Sequence, residues 1–465
     1  MQCVDIEGVE FEVASRLLPG DLISSGVAPF FECSNIVSVA LSPKDAFGYS
    51  RDIMPNSMSR IRELEVVEGV TNVDAVYCGN LTRLVLPATM EAFSAPVYNN
   101  PNLGEIIVSA ENPRFAAKDG ILYDKGMTTV IACGCAKTKV ELPGTVKAIG
   151  KNAFRNCIRI EDVKFPMSVG DIGGSSFYGC TNLASMTLSE CLTNIAASAF
   201  YKCTRLQDVE FPCALENIGD NAFAYCNNLS EVKLHDGLLV GRGAFSYCSG
   251  LRNAIVGKVK VSDVRTGQGL FGECVNLTDV VIDDDASWLG WSSAFGGCKK
   301  LQQVKLPRNW KVIPSQIFYG CVSLSDFEIG NEVESIDNNA FYYCSSLRSV
   351  RIPAETTNVA NYAFYGVAMK EAVFEGDLPV LQSKCYLIDN AAKVYYPRQF
   401  AEHYLPVVPA EKFGGYTEDN QFVKSGEGRL MAIPTSWVNE VFDAHPELKE
   451  VWSGNVGGFI RQPTD

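Results

Sequence analysis

The chain has 465 residues, and its 54 acidic residues outnumber its 40 basic residues, which gives a net charge of −14. This excess of negative charge repels the phosphate backbone of nucleic acids, so the composition argues against nucleic acid as a partner. Hydrophobic residues make up 47% of the chain, but no run of about 18 apolar residues predicts a membrane-spanning helix. The sequence as given also begins without the basic and apolar regions of a secretory signal.

Residues 1–29 predict a cap at the N-terminal end of the fold. Val9, Phe11 and Val13 alternate with acidic residues, as in an edge strand, and the turn signal Pro19-Gly20-Asp21 follows them. An array of stacked repeats needs a cover of this kind over the core of its first repeat.

Residues 30–397 contain a repeat with a nearly constant period. The motif is clearest in residues 199–212, AFYKCTRLQDVEFP, and its cysteine returns every 22 to 26 residues from Cys157 to Cys344. Degenerate copies extend the pattern back to Phe30 and forward to Pro397. A period of this length indicates a solenoid, here of about sixteen coils.

Each coil is predicted to contain a short strand and little helix. In the motif, Val209 and Phe211 are two residues apart and face the same side of a strand, whereas Glu210 faces the other side. Phe200 and Cys203 supply further inward positions. The pattern therefore predicts a mainly β solenoid that is capped at both ends.

Two segments depart from the repeat. Residues from about 109 to 135 form an irregular insert, after which the repeat resumes in phase. Residues 398–465 contain several prolines and paired glycines, with Ser436 as a helix N-cap signal. We predict that this last segment is a capping tail that covers the final coil.

The motif resembles the BspA-like leucine-rich repeats, also called the Treponema pallidum type. The resemblance rests on the strand Leu-x-x-Val-x-Phe/Leu-Pro, on Ile-Gly before Ala-Phe, as at Ile218-Gly219, and on the following Cys-x-x-Leu. The insert and the closing segment Val394-Tyr395-Tyr396-Pro397 are similar to segments of the same family. The resemblance implies a leucine-rich repeat solenoid with few helices and a role in adhesion or protein binding at cell surfaces.

Nine of the 17 cysteines occupy one repeat position. Equivalent positions on stacked coils lie about 5 Å apart, within the range of a disulfide, but an odd-numbered stack cannot pair completely. We interpret these cysteines as small buried side chains that stay reduced, in a cytoplasm or an anaerobic exterior. They are Cys157, Cys180, Cys203, Cys226, Cys248, Cys274, Cys298, Cys321 and Cys344.

No motif in the sequence predicts a catalytic residue, a metal or a cofactor. Cys133-Gly-Cys135 lacks the two-residue spacing that zinc and thioredoxin motifs use. Residues 267–272, GQGLFG, match the letters of a dinucleotide fingerprint, but no strand-to-helix unit surrounds them. The three histidines are scattered and have no assignable nucleophile as a partner. We therefore expect a protein that is not an enzyme.

Two surface features are candidates for a partner-binding face. Ile255 and Val281 are apolar at the outward strand position, where Lys233 and Lys305 stand in neighbouring repeats. Exposed apolar residues flanked by charge favour a docking site, although strand propensity alone explains them nearly as well. A tyrosine-rich edge follows the repeat phenylalanine and suits either recognition or stacking of coils. Its members are Tyr178, Tyr201, Tyr225, Tyr247, Tyr319, Tyr342, Tyr343 and Tyr365.

These features favour a recognition or adhesion protein that binds a protein or glycan through the solenoid surface. The family resemblance implies a cell surface, whereas the missing signal leaves a second interpretation open. In that interpretation the chain is an intracellular scaffold or a structural component of a viral particle. The identity of the partner and the oligomeric state do not follow from the sequence.

Overall fold

The computed structural model describes residues 62–66, 68–73, 80–93, 97, 100–262, 269–287, 289–325 and 327–417, and the backbone of residues 38–41. The predicted N-terminal cap and the tail beyond residue 417 lie outside the described residues. The fold is a mainly β solenoid of about fifteen turns with few helices, which confirms the predicted fold class. The chain divides into two compact units, Met1–Leu251 (unit 1) and Arg252–Asp465 (unit 2).

The strands of unit 1 are short and follow one another at repeat intervals. They are β1 (Ser38–Leu41), β2 (Glu63–Val66), β3 (Asn72–Val73), β4 (Arg83–Leu86), β5 (Ala92–Phe93), β6 (Glu105–Val108), β7 (Phe115–Lys118), β8 (Ile121–Asp124), β9 (Thr129–Cys133), β10 (Lys139–Glu141), β11 (Ala148–Ile149), β12 (Asp162–Lys164), β13 (Asp171–Ile172), β14 (Ser185–Thr187), β15 (Asn194–Ile195), β16 (Asn217–Ile218), β17 (Glu231–Leu234) and β18 (Leu239–Val240).

Unit 2 continues the same arrangement and adds short helices near its end. Its strands are β19 (Asn253–Val256), β20 (Lys260–Val261), β21 (Asp279–Ile282), β22 (Val312–Ile313), β23 (Ser335–Ile336), β24 (Ser349–Ile352), β25 (Asn358–Val359), β26 (Glu371–Phe374), β27 (Val380–Leu381), β28 (Lys393–Pro397) and β29 (Phe413–Thr417). The helices are α1 (Leu387–Asn390), α2 (Ala401–Tyr404) and the 3-10 turns Arg398–Phe400 and Ala410–Lys412.

Strands of successive coils pair in parallel and form two sets, the front strands and the back strands. Front strands follow the Cys-x-x-Leu part of the motif and form the sheets β1-β2-β4-β6, β10-β12-β14 and β24-β26-β28-β29. Back strands precede Ala-Phe and pair as β11-β13-β15-β16-β18 in unit 1 and β22-β23-β25-β27 in unit 2. The pairing places equivalent residues side by side, as Ile172, Ile195 and Ile218 show.

The core of each unit contains a stack of phenylalanine rings. In unit 1 the rings of Phe154, Phe177, Phe200, Phe223 and Phe245 lie nearly parallel, with neighbouring centroids 4.7 to 5.4 Å apart. All five side chains are fully buried. In unit 2 the corresponding rings lie 5.1 to 5.9 Å apart, and they are those of Phe271, Phe295, Phe318, Phe341 and Phe364.

The turn around each phenylalanine requires two residues in the left-handed backbone region. One lies two residues before the phenylalanine, as Ser198 does at φ 56°, and the other lies two residues after it, as Lys202 does at φ 61°. Left-handed backbone costs about 1–2 kcal/mol for most residues and little for glycine or asparagine. Several coils accordingly use Asn156, Gly179 or Gly320 at the second position.

The motif copy that is clearest in sequence departs from the predicted strand. Residues 205–212 form no strand, and the prediction of a regular strand there is wrong. Phe211 is only half-buried, and its ring meets the edges of Phe223 and Phe245 at 5.5 and 6.1 Å. The Phe211 ring packs against the phenylalanine stack, and Val209 remains buried.

The insert in unit 1 forms an antiparallel meander. Strand β7 pairs with β8, β8 pairs with β9, and β9 then pairs in parallel with β11. Asp124 closes the turn between β8 and β9, because its carboxylate accepts hydrogen bonds from the amides of Thr128 and Thr129 and from the Thr128 hydroxyl at 2.6 to 2.7 Å. Burial opposes ionisation of Asp124, but these hydrogen bonds outweigh it and lower the pKa of the carboxyl group.

The described part of the C-terminal segment packs against the last coils of unit 2. Strand β29 pairs in parallel with β28, with a register shift between Val394 and Tyr395. The buried ring of Tyr404 stacks on that of Tyr396 at 4.5 Å, and its hydroxyl donates to the carbonyl of Gly376 at 2.9 Å. The role of residues 398–465 as a cap remains a prediction.

Candidate functional site

Ile255 and Val281 lie side by side on the front face of unit 2. Strands β19 and β21 pair in parallel with Ile255 opposite Val281, and the flanking Ala254 and Val280 point into the core. The Ile255 side chain is 43% exposed and that of Val281 is 61% exposed. The alternation of exposed and buried residues along both strands is the reason why these two apolar side chains face outward.

A groove of about 800 Å³ opens beside Val281. Its walls come from three successive coils of unit 2, residues 278–281, 303–306 with 308, and 328–332. After β21 the described residues 304–306 and 327–330 form no regular strand, so the front sheet is interrupted at this place. The wall carries both signs of charge, with Asp279, Lys305, Arg308, Glu328 and Glu332.

The two lysines of the candidate face differ in their surroundings. Lys305 is exposed, lines the groove and lies 4.0 Å from Asp284 at the limit of an ion pair. Lys233 belongs to unit 1, where its ammonium group lies 2.6 Å from Glu231 on the same strand, and this partner raises the lysine's pKa. Of the two, Lys305 shares a groove wall with Val281.

Four candidate tyrosines form a stack in unit 1. The ring of Tyr178 stacks on Tyr201 at 4.8 Å, Tyr201 meets Tyr225 edge-on at 5.3 Å, and Tyr225 stacks on Tyr247 at 4.5 Å. Each is half-buried. Partial burial, together with neighbouring phenols, raises the pKa of Tyr201. The guanidinium group of Arg155 lies over the Tyr178 ring, 4.0 Å from its centroid, in a cation–π contact.

A second tyrosine cluster lies in unit 2 and is larger than the sequence indicated. Tyr319 stacks on Tyr342 at 4.8 Å, and Tyr342 stacks on Tyr365 at 4.9 Å. Tyr343 and Tyr319 remain 48% and 42% exposed. Tyr362 and Tyr386 join through contacts of 5.1 to 6.1 Å. The motif did not indicate Tyr362, because it precedes the repeat phenylalanine. It did not indicate Tyr386, because that coil has no repeat phenylalanine.

Three of the tyrosines occupy a position where other coils have glycine. Tyr225, Tyr247 and Tyr343 have φ values of 63°, 59° and 57°, in the left-handed region. The corresponding residues of other coils include Gly179 and Gly366. A tyrosine in this conformation is less stable than glycine by about 1 kcal/mol. Ring contacts offset that cost, each worth about 0.5–1.5 kcal/mol. Tyr225 and Tyr247 stack on each other, and Tyr343 meets its neighbours edge-on.

The cysteine position of the repeat is buried throughout the described coils. The sulfur of Cys203 lies 3.2 Å from the carbonyl oxygen of Phe177 in the preceding coil, and most other members repeat this contact at 3.0 to 3.3 Å. Fourteen cysteines of the described residues are free thiols. Seven of the nine ladder thiols thus have a carbonyl acceptor at close range, and burial raises the pKa of Cys203.

Other motifs of the sequence do not assemble into a site in the described part of the chain. No group of three or more His, Cys, Asp and Glu residues there could hold a metal ion. No described helix has the length and apolar character needed to cross a bilayer. His403 pairs with Asp377, and the Nδ1 atom of His235 lies 3.0 Å from the Asp236 carbonyl oxygen. Residues 263–268 and His445 lie outside the described residues.

Comparisons with known proteins agree with the repeat architecture. A model of the BspA type leucine-rich repeat region matches in six copies over residues 132–252 and 265–391. No curated protein matches the sequence. A solved leucine-rich repeat protein of T. pallidum is 26% identical, with a TM-score of 0.32, and the match covers 41% of this chain and 89% of that chain.

Two further solved structures are similar over more of the chain. A leucine-rich repeat protein from Eubacterium ventriosum is 18% identical, with a TM-score of 0.36, over 71% of this chain and 83% of its own. A leucine-rich cell surface protein from Faecalibacterium prausnitzii is also 18% identical, with a TM-score of 0.36, over 68% and 87%. Because the family model spans more than half of its residues, this chain belongs to the BspA-type leucine-rich repeat family.

Proposed function

We propose that this chain is a non-enzymatic recognition protein whose front face in unit 2 binds a protein partner. The observation that carries the proposal is the exposed apolar pair Ile255 and Val281 beside a groove with charged walls. Leucine-rich repeat proteins of this family are repeat scaffolds that typically bind proteins.

The chemistry of the face favours a protein over a glycan. Protein interfaces combine an apolar centre with a polar, charged rim. Here the centre is the apolar pair, and Lys305, Arg308 and Glu328 supply charges of both signs around it. A matching partner segment would present an apolar side chain to Val281 and flanking charges to the groove walls.

The tyrosine clusters are proposed as further contact surfaces. Tyr343 and Tyr319 are the most exposed tyrosines of the two clusters. Tyrosine suits recognition because it provides a large contact area at a low entropy cost. Tyr319 and Tyr342 stack on each other through their faces, which leaves their ring edges and hydroxyl groups for a partner. Hydrogen bonding by these hydroxyl groups would add specificity to the apolar contacts.

A selection of displayed peptides tests the proposal without a known partner. Peptides are selected on the wild-type chain, and their affinity is compared for the double variant Ile255→Lys/Val281→Lys and for the control Met167→Lys. Met167 is 61% exposed, as Val281 is, but lies in unit 1. We expect the double variant to lose at least about tenfold in affinity, as the loss of one buried apolar side chain would predict, and the control to bind normally.

Two outcomes would contradict the proposed face. Equal binding of the selected peptides to the double variant and to wild type would remove Ile255 and Val281 from the binding site. Recovery of only glycan ligands from a parallel glycan array would argue for a sugar partner instead. Circular dichroism of each variant checks that the fold is intact.

We further propose that this recognition takes place at a cell surface, as in adhesion. The alternative, an intracellular scaffold or a structural component of a viral particle, is favoured by the free thiols of the described residues. Antibody labelling of intact and permeabilised source cells distinguishes these locations. Labelling that needs permeabilisation would contradict adhesion but would leave the binding face itself unaffected.

A further inference from the structure

Three cysteines of unit 1 meet where the insert joins the first regular coil. Cys133 ends strand β9, Cys135 follows two residues later, and Cys157 is the first member of the regular cysteine ladder. All three are buried free thiols. The sulfur atoms of Cys135 and Cys157 lie 2.9 Å apart, compared with about 2.05 Å in a disulfide bond.

The reason for this contact is a missing phenylalanine. The amide of Phe154 donates to the carbonyl of Ser176, and the amide of Cys133 donates in the same way to Ala153 at 2.7 Å. Cys133 therefore takes the place that phenylalanine has in the following coils. Its small side chain leaves room beneath Cys157 for a second sulfur, and Cys135 fills that room.

Cys157 consequently differs from the other ladder thiols. The sulfur of Cys180 has a carbonyl acceptor at 3.0 Å in Phe154 of the preceding coil. For Cys157 the corresponding acceptor in the preceding coil is the carbonyl oxygen of Cys133, and it lies 3.9 Å from the sulfur. The closest partner of the Cys157 sulfur is thus another thiol rather than a carbonyl oxygen.

We propose that Cys135 and Cys157 are an oxidisable pair that forms a disulfide bond between the insert and the regular repeats. The two sulfur atoms are already 2.9 Å apart, so formation of a disulfide bond requires them to approach by only about 1 Å. The bond would join residue 135, next to the meander, to the turn that follows the first phenylalanine of the stack. It would prevent the insert from separating from the repeats.

The oxidant would be a small-molecule disulfide such as oxidised glutathione. The thiolate of one cysteine attacks the oxidant and forms a mixed disulfide, with release of one glutathione thiolate. The second cysteine thiolate then attacks the protein sulfur of the mixed disulfide and releases the second glutathione. Two protein thiols lose two protons and two electrons, and one glutathione disulfide becomes two glutathione thiols.

Burial decides when this reaction takes place. Both sulfurs are fully buried, and burial, together with the hydrogen bonds that the Cys157 thiol donates to Cys133 and Cys135, raises the pKa of the Cys157 thiol. Only the thiolate attacks a disulfide, so exchange in the folded protein is slow. We therefore expect the bond to form while the chain folds and to be protected from reductants afterwards.

The test is to refold the full chain from denaturant in a glutathione buffer that is mostly oxidised, and in parallel with dithiothreitol. Each sample is alkylated under denaturing, non-reducing conditions and digested with trypsin, which has five cleavage sites between the two cysteines, at Lys137, Lys139, Lys147, Lys151 and Arg155. We expect a linked pair of peptides containing Cys135 and Cys157 in the oxidised sample only. The thiol count should then be two below that of the dithiothreitol sample.

Matched variants separate this pair from the rest of the ladder. Cys135→Ser should abolish the linked peptides, whereas Cys180→Ser, at a buried ladder position with a carbonyl acceptor, should retain them. Absence of the link in oxidised wild type, or a link from Cys157 to Cys133 or Cys180, would overturn the assignment. Because Cys133 and Cys135 lie on one tryptic peptide, fragmentation of the linked peptides identifies which of the two carries the alkyl group. This mapping of wild type is decisive even where a variant fails to fold.

Discussion

Replacement of Phe200 by alanine tests whether the phenylalanine stack stabilises unit 1. The Phe200 side chain is fully buried, and its ring centroid lies 5.1 Å from those of both Phe177 and Phe223. A buried Phe→Ala change costs about 3–5 kcal/mol. Because two stacked pairs are lost, and each contributes about 0.5–1.5 kcal/mol, we expect a loss near the top of that range, about 5 kcal/mol.

A second substitution isolates the stacking contribution. Phe200→Leu keeps much of the apolar area but removes both ring contacts, so it should cost about 1–3 kcal/mol. Glu210→Ala is the control, because Glu210 is exposed and a surface change usually stays within about 0.5 kcal/mol. Urea denaturation monitored by circular dichroism measures the free energy of unfolding for all three variants.

Hydrogen exchange then shows where the destabilisation occurs. Each coil of a solenoid contacts only its neighbours, so protection should fall first in the coils of Phe177, Phe200 and Phe223. A loss below about 1 kcal/mol for Phe200→Ala would refute the reasoning, since it lies far below the usual range for a buried ring. Exchange that increases uniformly over unit 1 would refute the local character of the effect.

Three further predictions concern the backbone, the insert and the C-terminal coils. Gly219→Ala should lower the Tm by several degrees in a thermal melt, because the new Cβ would meet the backbone of the preceding coil at 2.5 Å, whereas Gly144→Ala has no heavy atom within 4 Å and should be neutral. Asp124 has a lowered pKa, so its stabilisation is complete above about pH 4, the range of an unfolded aspartate, and is lost as pH falls through its folded value. Urea midpoints measured on acidification should therefore fall more steeply in wild type than in Asp124→Asn, and parallel curves would contradict this. Tyr404→Phe should cost about 1–2 kcal/mol in urea denaturation, because it leaves the buried carbonyl of Gly376 without its donor, and an unchanged midpoint would show that this bond contributes nothing.

Much of the fold could be predicted because each coil is packed against near copies of itself. Phe200 and Cys203 are inward in the motif, and their equivalents above and below are inward for the same reason. The pattern of one coil therefore specifies its neighbours as well. The exposure of Ile255 and Val281 also followed from strand alternation, and the structure confirms that both point outward.

Other features could not be predicted, because they depend on contacts between neighbouring coils. Phe211 occupies an inward strand position in the motif, but no strand forms there and the ring is half-buried. The groove beside Val281 exists because the front sheet is interrupted in the next two coils. Neither interruption has a signal in the spacing of the motif.

The sequence by itself determined the solenoid, its period and the buried residues of the coils, since local alternation and repetition are sufficient to specify them. Only the tertiary structure decided which side chains meet across coils. Tyr362 joined a tyrosine cluster, and Cys135 came to face Cys157, through the registry between coils. That registry arises from backbone hydrogen bonds between residues more than 20 positions apart, and a periodic pattern carries no information about its local exceptions.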